Sequence, residues 1–256
     1  MTHRPEKPDD QIVVLQNTNS EYLGLIEDHF EGRGIGFLYR RPLSSGDRIP
    51  REITGADGLV LLGGGPFGAV STPVLPFLEA EIELAQLYLS HGLPILGIGL
   101  GAQILTLAAG GASEPGDLTF DVLDARRTRA DALNGYLPER FPLTVYMRDR
   151  LRPPAEADIL AVDSEDRPLM FRVRENAIGF AGHPGAKSAI YEDLLMEFAD
   201  APQGFSETLE RVRARKTEIE DALVGIMTGV VQVCGLMRRR TGGTAQESFQ
   251  TRAFAT

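Results

Sequence analysis

The twelve residues PILGIGLGAQIL, Pro94–Leu105, contain the change of pattern that decides the fold. The apolar run over 94–98 predicts a strand that is buried on both faces. Alternating glycines then break the strand, and 100–109 has the apolar character of a buried helix. Such a sharp strand-to-helix turn usually presents a nucleophilic side chain at its centre. Here the centre is Gly99, which has no side chain.

The segments before this turn alternate between strands and helices. Short apolar or β-branched runs predict the strands, and apolar residues at helical spacing predict the helices. Connections of a few residues between them indicate a mostly parallel central sheet with helices on both faces. The predicted strands are 12–15, 35–41, 56–62 and 93–98; the predicted helices are 72–91 and one that ends near 31, with Asn19 or Ser20 as its N-cap.

After Gly111 the pattern changes to β-type segments without long helices between them, which predicts an antiparallel or mixed extension of the sheet. A helix is expected over 187–199. The expected strands are 117–128, 141–147, 157–164, 168–174 and 177–183.

The chain divides into four predicted parts: a flexible tail (1–10), the α/β domain (11–200), a C-terminal helical extension (201–240) and an arm (241–256). The extension begins as a charged helix with Ser206 as the expected N-cap. Its solvated faces are expected to carry Glu207, Glu210 and Arg213.

The second half of the extension, 222–237, is apolar and contains three glycines, Gly225, Gly229 and Gly235. Glycines four residues apart form a groove that permits close contact with another helix. Three interpretations stay open, namely packing on the same domain, docking on a partner or second copy, and a membrane span. A span is disfavoured because sixteen residues fall short of the roughly 20 required and because Gln232 lies among them.

Composition and charge argue against several classes of function. The net charge of −10 argues against binding by phosphate neutralisation, and the run Arg238–Arg240 is too short to form a nucleic-acid-binding face. The single cysteine, Cys234, and the polar N-terminus without an apolar leader predict a cytoplasmic protein. The four histidines have no metal-ligand spacing, and no phosphate-binding loop occurs. We therefore expect no metal and no cofactor.

Three motifs in order along the chain resemble those of class I glutamine amidotransferases. Residues 97–103, GIGLGAQ, are similar to the nucleophile motif G-I-C-x-G-x-Q. The glycine loop 63–65 resembles the oxyanion loop, and 172–185, RVRENAIGFAGHPG, resembles the histidine segment, which typically ends F-H-P-E. The resemblance spans about 12–199, is closest to the amidotransferase part of GMP synthase, and implies a flavodoxin-like class I amidotransferase fold.

The resemblance also implies the roles of single residues. Gly99 stands where the family has its cysteine nucleophile, His183 where it has the histidine, and Gly185 where it has the glutamate that orients the histidine. Two of the three catalytic side chains are therefore missing. Four positions match the binding apparatus and are candidates for holding a ligand: Gly64, Gly65, the N–H of Leu100, and Gln103.

Each of these residues also has an ordinary structural interpretation. His183 can be an ordinary loop histidine, the glycine run a tight turn, and Gln103 a structural side chain. Cys234 is disfavoured as a replacement nucleophile because buried cysteines are usually inert.

Three hypotheses follow. The leading one is a non-catalytic structural or regulatory subunit that binds a synthetase or other metabolic enzyme, or a second copy of itself. The second is a sensor for amino acids or other carboxylates. The third is an enzyme with altered chemistry, in which His183 activates water and either Glu175 or Asp163 orients it.

Overall fold

The computed structural model describes residues 11–53 and 55–236. The predicted tail (1–10), the arginine run 238–240 and the predicted arm (241–256) lie outside these described residues.

A nine-stranded sheet forms the centre of the molecule. The strands of the described residues are β1 (Gln11–Leu15), β2 (Gly36–Arg40), β3 (Gly58–Leu61), β4 (Ile95–Ile98), β5 (Ala112–Glu114), β6 (Thr119–Arg127), β7 (Arg140–Met147), β8 (Arg150–Arg152), β9 (Asp158–Val162), β10 (Pro168–Val173) and β11 (Ala177–Phe180). In the large sheet, five parallel strands in the order β2-β1-β3-β4-β11 continue into four antiparallel strands, β10-β9-β6-β7. β5 and β8 pair separately. The predicted parallel half and its antiparallel extension are both confirmed.

Helices pack around this sheet. They are α1 (Leu25–Glu31), α2 (Pro42–Ser45), α3 (Leu78–Ser90), α4 (Leu100–Ala108), α5 (Ser188–Glu197), α6 (Phe205–Ala214) and α7 (Lys216–Cys234), and a 3₁₀ turn spans Ala132–Gly135. α3 and α4 pack on each other and on β3 and β4. α7 packs on α1, α6 and β7, and α6 also packs on α5 and β6.

Two predicted helix starts are wrong. The helix expected from 72 begins only at Leu78, because Pro73 and Pro76 interrupt the preceding segment and Gly68 instead bonds to the Pro73 carbonyl. The helix expected from Asn19 or Ser20 begins at Leu25.

The C-terminal extension also differs in its capping. The residue before its first helix is Gly204, so Ser206 is not the N-cap, and the chain leaves helical geometry at Arg215 between α6 and α7. Glu207, Glu210 and Arg213 are exposed as predicted. Leu223, Ile226, Met227, Val230, Val231 and Cys234 of α7 belong to the main hydrophobic core.

The groove of α7 is filled by another segment of the same chain. This agrees with the interpretation in which the helix packs on its own domain. A Cβ at Gly225 would lie 2.6 Å from the carbonyl oxygen of Tyr136, and one at Gly229 would lie 2.5 Å from Leu133 Cβ. These two glycines therefore face the 3₁₀ turn and the residue after it, and they leave no room for a partner helix. Gly235 ends α7 in a left-handed conformation, with φ of 67°.

We expect Gly229→Ala to lower the free energy of unfolding by about 1–3 kcal/mol, because the added methyl group overpacks against Leu133. In an open helix the same change would stabilise by about 1 kcal/mol. Urea unfolding followed by circular dichroism measures the sign. Val224→Ala, at a position of α7 that is 56% exposed, is the matched control and should change stability little. A stabilised Gly229→Ala variant would contradict this packing.

No helix within 11–53 or 55–236 combines the length and apolar character needed to cross a membrane.

Candidate functional site

The turn after β4 keeps the geometry of a nucleophile elbow. Gly99 has φ of 58° and ψ of −119°, which side-chain-bearing residues rarely adopt. Its N–H donates to the Phe180 carbonyl of β11, and its carbonyl accepts the N–H of Ala102 at 3.0 Å. The nearest atoms to a Cβ at Gly99 would be Gly63 Cα at 3.6 Å and the Tyr146 carbonyl oxygen at 3.7 Å. The turn therefore has space for a side chain that the sequence does not supply.

His183 is bound by backbone groups on both ring nitrogens. Nδ1 accepts the N–H of Gly185 at 3.2 Å, and Nε2 donates to the carbonyl of Tyr22 at 2.8 Å. An N–H can only donate and a carbonyl can only accept, so these partners define a neutral ring with its proton on Nε2. Burial lowers the pKa of His183 to about 4, although the bond to Tyr22 works in the opposite direction.

The position of the missing glutamate is filled by other parts of the chain. A Cβ at Gly185 would lie 3.0 Å from Ile26 Cγ1 and 3.1 Å from Leu223 Cδ2. The Gly185 carbonyl also accepts the N–H of Leu25 at 2.9 Å. α1 and α7 therefore close the space beside His183, and the side chains that close it, Ile26 and Leu223, are apolar.

Neither carboxylate suggested as a substitute orients His183. Asp163 instead accepts the N–H groups of Glu165 and Arg167, both at 2.9 Å, and the Nε of Arg167 at 2.6 Å. Glu175 is exposed in the turn between β10 and β11. The part of the third hypothesis that assigned them this role is wrong.

The glycine loop already holds a carboxylate. Oε2 of Glu21 accepts the N–H of Gly65 at 2.5 Å, and a Cβ at Gly63 would lie only 2.6 Å from Glu21 Cδ. Glu21 is 6% exposed. Burial raises its pKa to about 7, the bond from Gly65 lowers it, and the charge of Glu197 raises it further.

Sequence reasoning missed Glu21. It lies in a polar stretch, 16–21, directly after the first buried strand, at the carboxyl edge of the sheet where α/β proteins bind ligands. Its position directly after a buried strand is the feature of the sequence that could have identified Glu21. The charge of Glu21 also contributes to the raised pKa values of Tyr146 and Tyr191, after the larger effect of burial.

Of the three remaining candidate ligand-binding positions, Gly64, Leu100 and Gln103, the structure gives Gln103 partners within the protein. Gln103 donates from Nε2 to the carbonyl of Arg148 at 2.5 Å and accepts the hydroxyl of Ser113 at 2.9 Å. Its amide therefore has a structural partner at each end. The side chain of Leu100 packs directly on Gly64, so a Cβ at Gly64 would overlap Leu100 Cδ2.

Cys234 has the properties of a buried structural cysteine and not those of a nucleophile. Its thiol donates to the carbonyl of Asn176 at 3.4 Å, and burial raises its pKa to about 12. A thiol with such a pKa supplies almost no thiolate near neutral pH. Within the described ranges no three His, Cys, Asp or Glu side chains form a group that could hold a metal ion.

Comparisons with known proteins support the family and the fold. The family model for class-I glutamine amidotransferases matches residues 16–198. A glutamine amidotransferase from Thermotoga maritima is 22% identical, with a TM-score of 0.70, over 88% of this chain and 98% of its own. One from Methylobacillus flagellatus is 18% identical, with a TM-score of 0.76, over 93% and 98%.

A third solved structure, PurLQS from Thermotoga maritima, is 15% identical with a TM-score of 0.51, over 73% of this chain and 98% of the matched one. The search of curated proteins finds no significant match.

Proposed function

Because the chain belongs to the class-I glutamine amidotransferase family, we propose that it is a non-catalytic member that serves as a structural or regulatory subunit of a metabolic enzyme complex. The observation that carries this proposal is the elbow itself, which has the strained backbone of a nucleophile site and glycine at its centre. Glycine adopts this backbone without the steric penalty of about 1–3 kcal/mol that another residue would incur.

The chemistry of acyl transfer supports the proposal further. A nucleophile needs a base within hydrogen-bonding distance, and the base must be able to accept its proton. His183 carries its proton on Nε2, donates a hydrogen bond from there to the Tyr22 carbonyl, and accepts the N–H of Gly185 at Nδ1. Neither nitrogen is available to a substrate unless the surrounding loops move.

The proposed role within a complex rests on analogy with solved neighbours. One is a chain of PurLQS, and another is described as a GMP synthase subunit from Thermoplasma acidophilum. The partner proposed here is a synthetase or another metabolic enzyme, with a second copy of this chain as the rival. The carboxylate-sensor hypothesis is disfavoured because Glu21 occupies the N–H of Gly65.

Co-purification from the source organism, with measurement of the mass of the assembly, tests the proposed role. We expect a stoichiometric complex with an enzyme whose kcat or KM changes when this chain is removed and added back. Recovery of the chain only as a monomer, or of a complex whose kinetics ignore the chain, would contradict it.

We also expect no release of ammonia from glutamine above background by the wild-type protein, and at most a marginal rate for Gly99→Cys. Loss of one triad member lowers acyl-transfer rates by roughly 10⁴–10⁶-fold in well-studied serine enzymes. The new thiol would also lack a base, since His183 is engaged. Coupled detection of ammonia and glutamate measures the rate, and Gly99→Ala controls for the backbone strain. Wild-type turnover that Gly99→Ala leaves unchanged would refute the non-catalytic assignment.

A further inference from the structure

The segment Asn19–Gly24, which we call the strap, is held at its first end by α5. The Glu197 carboxylate accepts the backbone and side-chain N–H groups of Asn19 at 2.9 and 3.1 Å. It also accepts the backbone N–H of Ser20 at 3.0 Å and the hydroxyl of Ser20 at 2.5 Å. Four hydrogen bonds to one carboxylate therefore fix the residues that precede Glu21.

The second end of the strap is held by the remains of the catalytic site. The Tyr22 carbonyl accepts Nε2 of His183 at 2.8 Å, and the Leu23 N–H donates to the Tyr39 hydroxyl at 3.0 Å. A Cβ at Gly24 would overlap the Gly185 carbonyl oxygen, so only glycine permits this approach. The histidine that would move protons in an active relative thus serves here as an anchor for the strap.

Between these two ends the Glu21 side chain reaches the glycine loop. Its carboxyl group lies against the Cα of Gly63, where a Cβ would displace it, and accepts the N–H of Gly65. Gly63 is also the nearest neighbour of the empty position on Gly99. The carboxylate and the elbow are therefore adjacent to the same glycine.

We propose that the glycine loop is a carboxyl-binding site whose resident ligand is the Glu21 side chain, which the strap holds in place and which closes the site to other molecules. An external carboxylate or carboxamide can take the N–H of Gly65 only when Glu21 is withdrawn. This occupancy is a property of the isolated chain and holds with or without a partner protein.

Removal of the resident carboxylate should create a site for an external one. Glu21→Ala deletes a fragment of the size of acetate and leaves the N–H of Gly65 buried without its acceptor. At about pH 5, where part of the acetate is present as neutral acetic acid, we expect acetate at constant ionic strength to raise the Tm of Glu21→Ala by roughly 2–4 °C relative to chloride. The wild-type Tm should not differ between the two salts, because Glu21 fills the site.

Two control variants distinguish acetate binding at this site from a general effect of acetate on the Tm. Glu81→Ala also removes a fully buried carboxylate, but that carboxylate accepts from the Asn17 side chain rather than from a backbone N–H. Glu197→Ala removes a carboxylate that binds backbone N–H groups nearer the surface, where water can replace it. We expect neither to gain Tm selectively with acetate. A gain in the wild type equal to that in Glu21→Ala would overturn the proposal.

If Glu21→Ala does not fold, Glu21→Gln provides the test by NMR. A short bond to a carboxylate moves an amide proton downfield, and a neutral amide oxygen is a weaker acceptor. At about pH 8.5, where Glu21 is ionised, we expect the Gly65 amide proton of Glu21→Gln to lie upfield of its wild-type position, while the amides of Asn19 and Ser20, which bind Glu197, stay in place. An unmoved Gly65 amide would show that Glu21 is not its ligand.

Discussion

Replacing Gly185 by glutamate is expected to destabilise the protein by about 3 kcal/mol or more, although it restores the residue of the F-H-P-E motif. The reason lies in what now surrounds this position. A Cβ at Gly185 would approach Ile26 Cγ1 to 3.0 Å and Leu223 Cδ2 to 3.1 Å. Both side chains are buried, with exposures of 0% and 1%, so the new carboxylate would enter an apolar environment without a charge partner.

Urea unfolding of Gly185→Glu, with circular dichroism as the probe, measures this loss. Gly185→Ala adds the same Cβ without the charge, and we expect it to be destabilised by only about 1 kcal/mol. The difference between the two variants isolates the buried carboxylate. Equal stability of both would mean that α1 or α7 moves aside easily.

The double variant Gly99→Cys/Gly185→Glu extends this test to catalysis. We expect it to release no ammonia from glutamine, because the glutamate cannot lie beside His183 while Leu223 of α7 fills that space. A folded double variant that hydrolyses glutamine would show that the site is intact except for two side chains. That result would overturn the assignment as a non-catalytic protein with a remodelled site.

The second large effect is a loss of stability at alkaline pH. Burial raises the pKa of Glu21 to about 7 and that of Glu81 to about 8. Around Glu21 the charge of Glu197 acts in the same direction and the bond from Gly65 opposes it, whereas Asn17 opposes the shift at Glu81. Both carboxyls therefore keep protons in the folded state at pH values where the unfolded chain has lost them.

The sign follows from proton linkage. A carboxyl whose pKa is raised by folding contributes stability that is fully present below its unfolded pKa of 4.5. This contribution is lost as the pH rises through the folded pKa, which is about 7 for Glu21 and about 8 for Glu81. At 1.36 kcal/mol per pKa unit, each carboxyl accounts for roughly 3–5 kcal/mol at the alkaline limit. His183 acts at the other end, because its lowered pKa removes stability as the pH falls from 6.5 towards about 4.

Urea unfolding between pH 4 and 9.5 measures this profile. We expect maximum stability at about pH 5, because above that pH the loss from two carboxyls exceeds the gain from one histidine. Glu81→Gln should flatten the alkaline limb by several kcal/mol, and Glu21→Gln should flatten it by somewhat less, since each substitution removes the charge but keeps the shape. Glu207→Gln, on the exposed face of α6, controls for the loss of a negative charge. A flat wild-type profile from pH 6 to 9.5 would contradict the buried, protonated state of both carboxyls.

Local sequence was sufficient for the architecture around the elbow. The parallel strands β1 to β4, the antiparallel strands after Gly111 and helix α4 follow from hydrophobic patterns that span a few residues. The turn at Gly99 follows from the switch from a strand pattern to a helix pattern. The helix start expected at Asn19 or Ser20 is misplaced because a distant group, Glu197, holds those residues. The start expected at 72 is displaced by the neighbouring Pro73 and Pro76.

The sequence by itself determined that the elbow has no nucleophile, because the identity of one residue decides that question. Only the tertiary structure decided which groups fill the site that lacks its catalytic side chains. Glu21 and Gly65 are 44 positions apart, and α7 reaches Gly185 from a separate helix. Periodicity and capping act within a few residues of the chain, whereas these contacts depend on how the sheet brings distant loops to one edge. The closing of the site by a carboxylate and by apolar side chains is therefore visible only in the folded molecule.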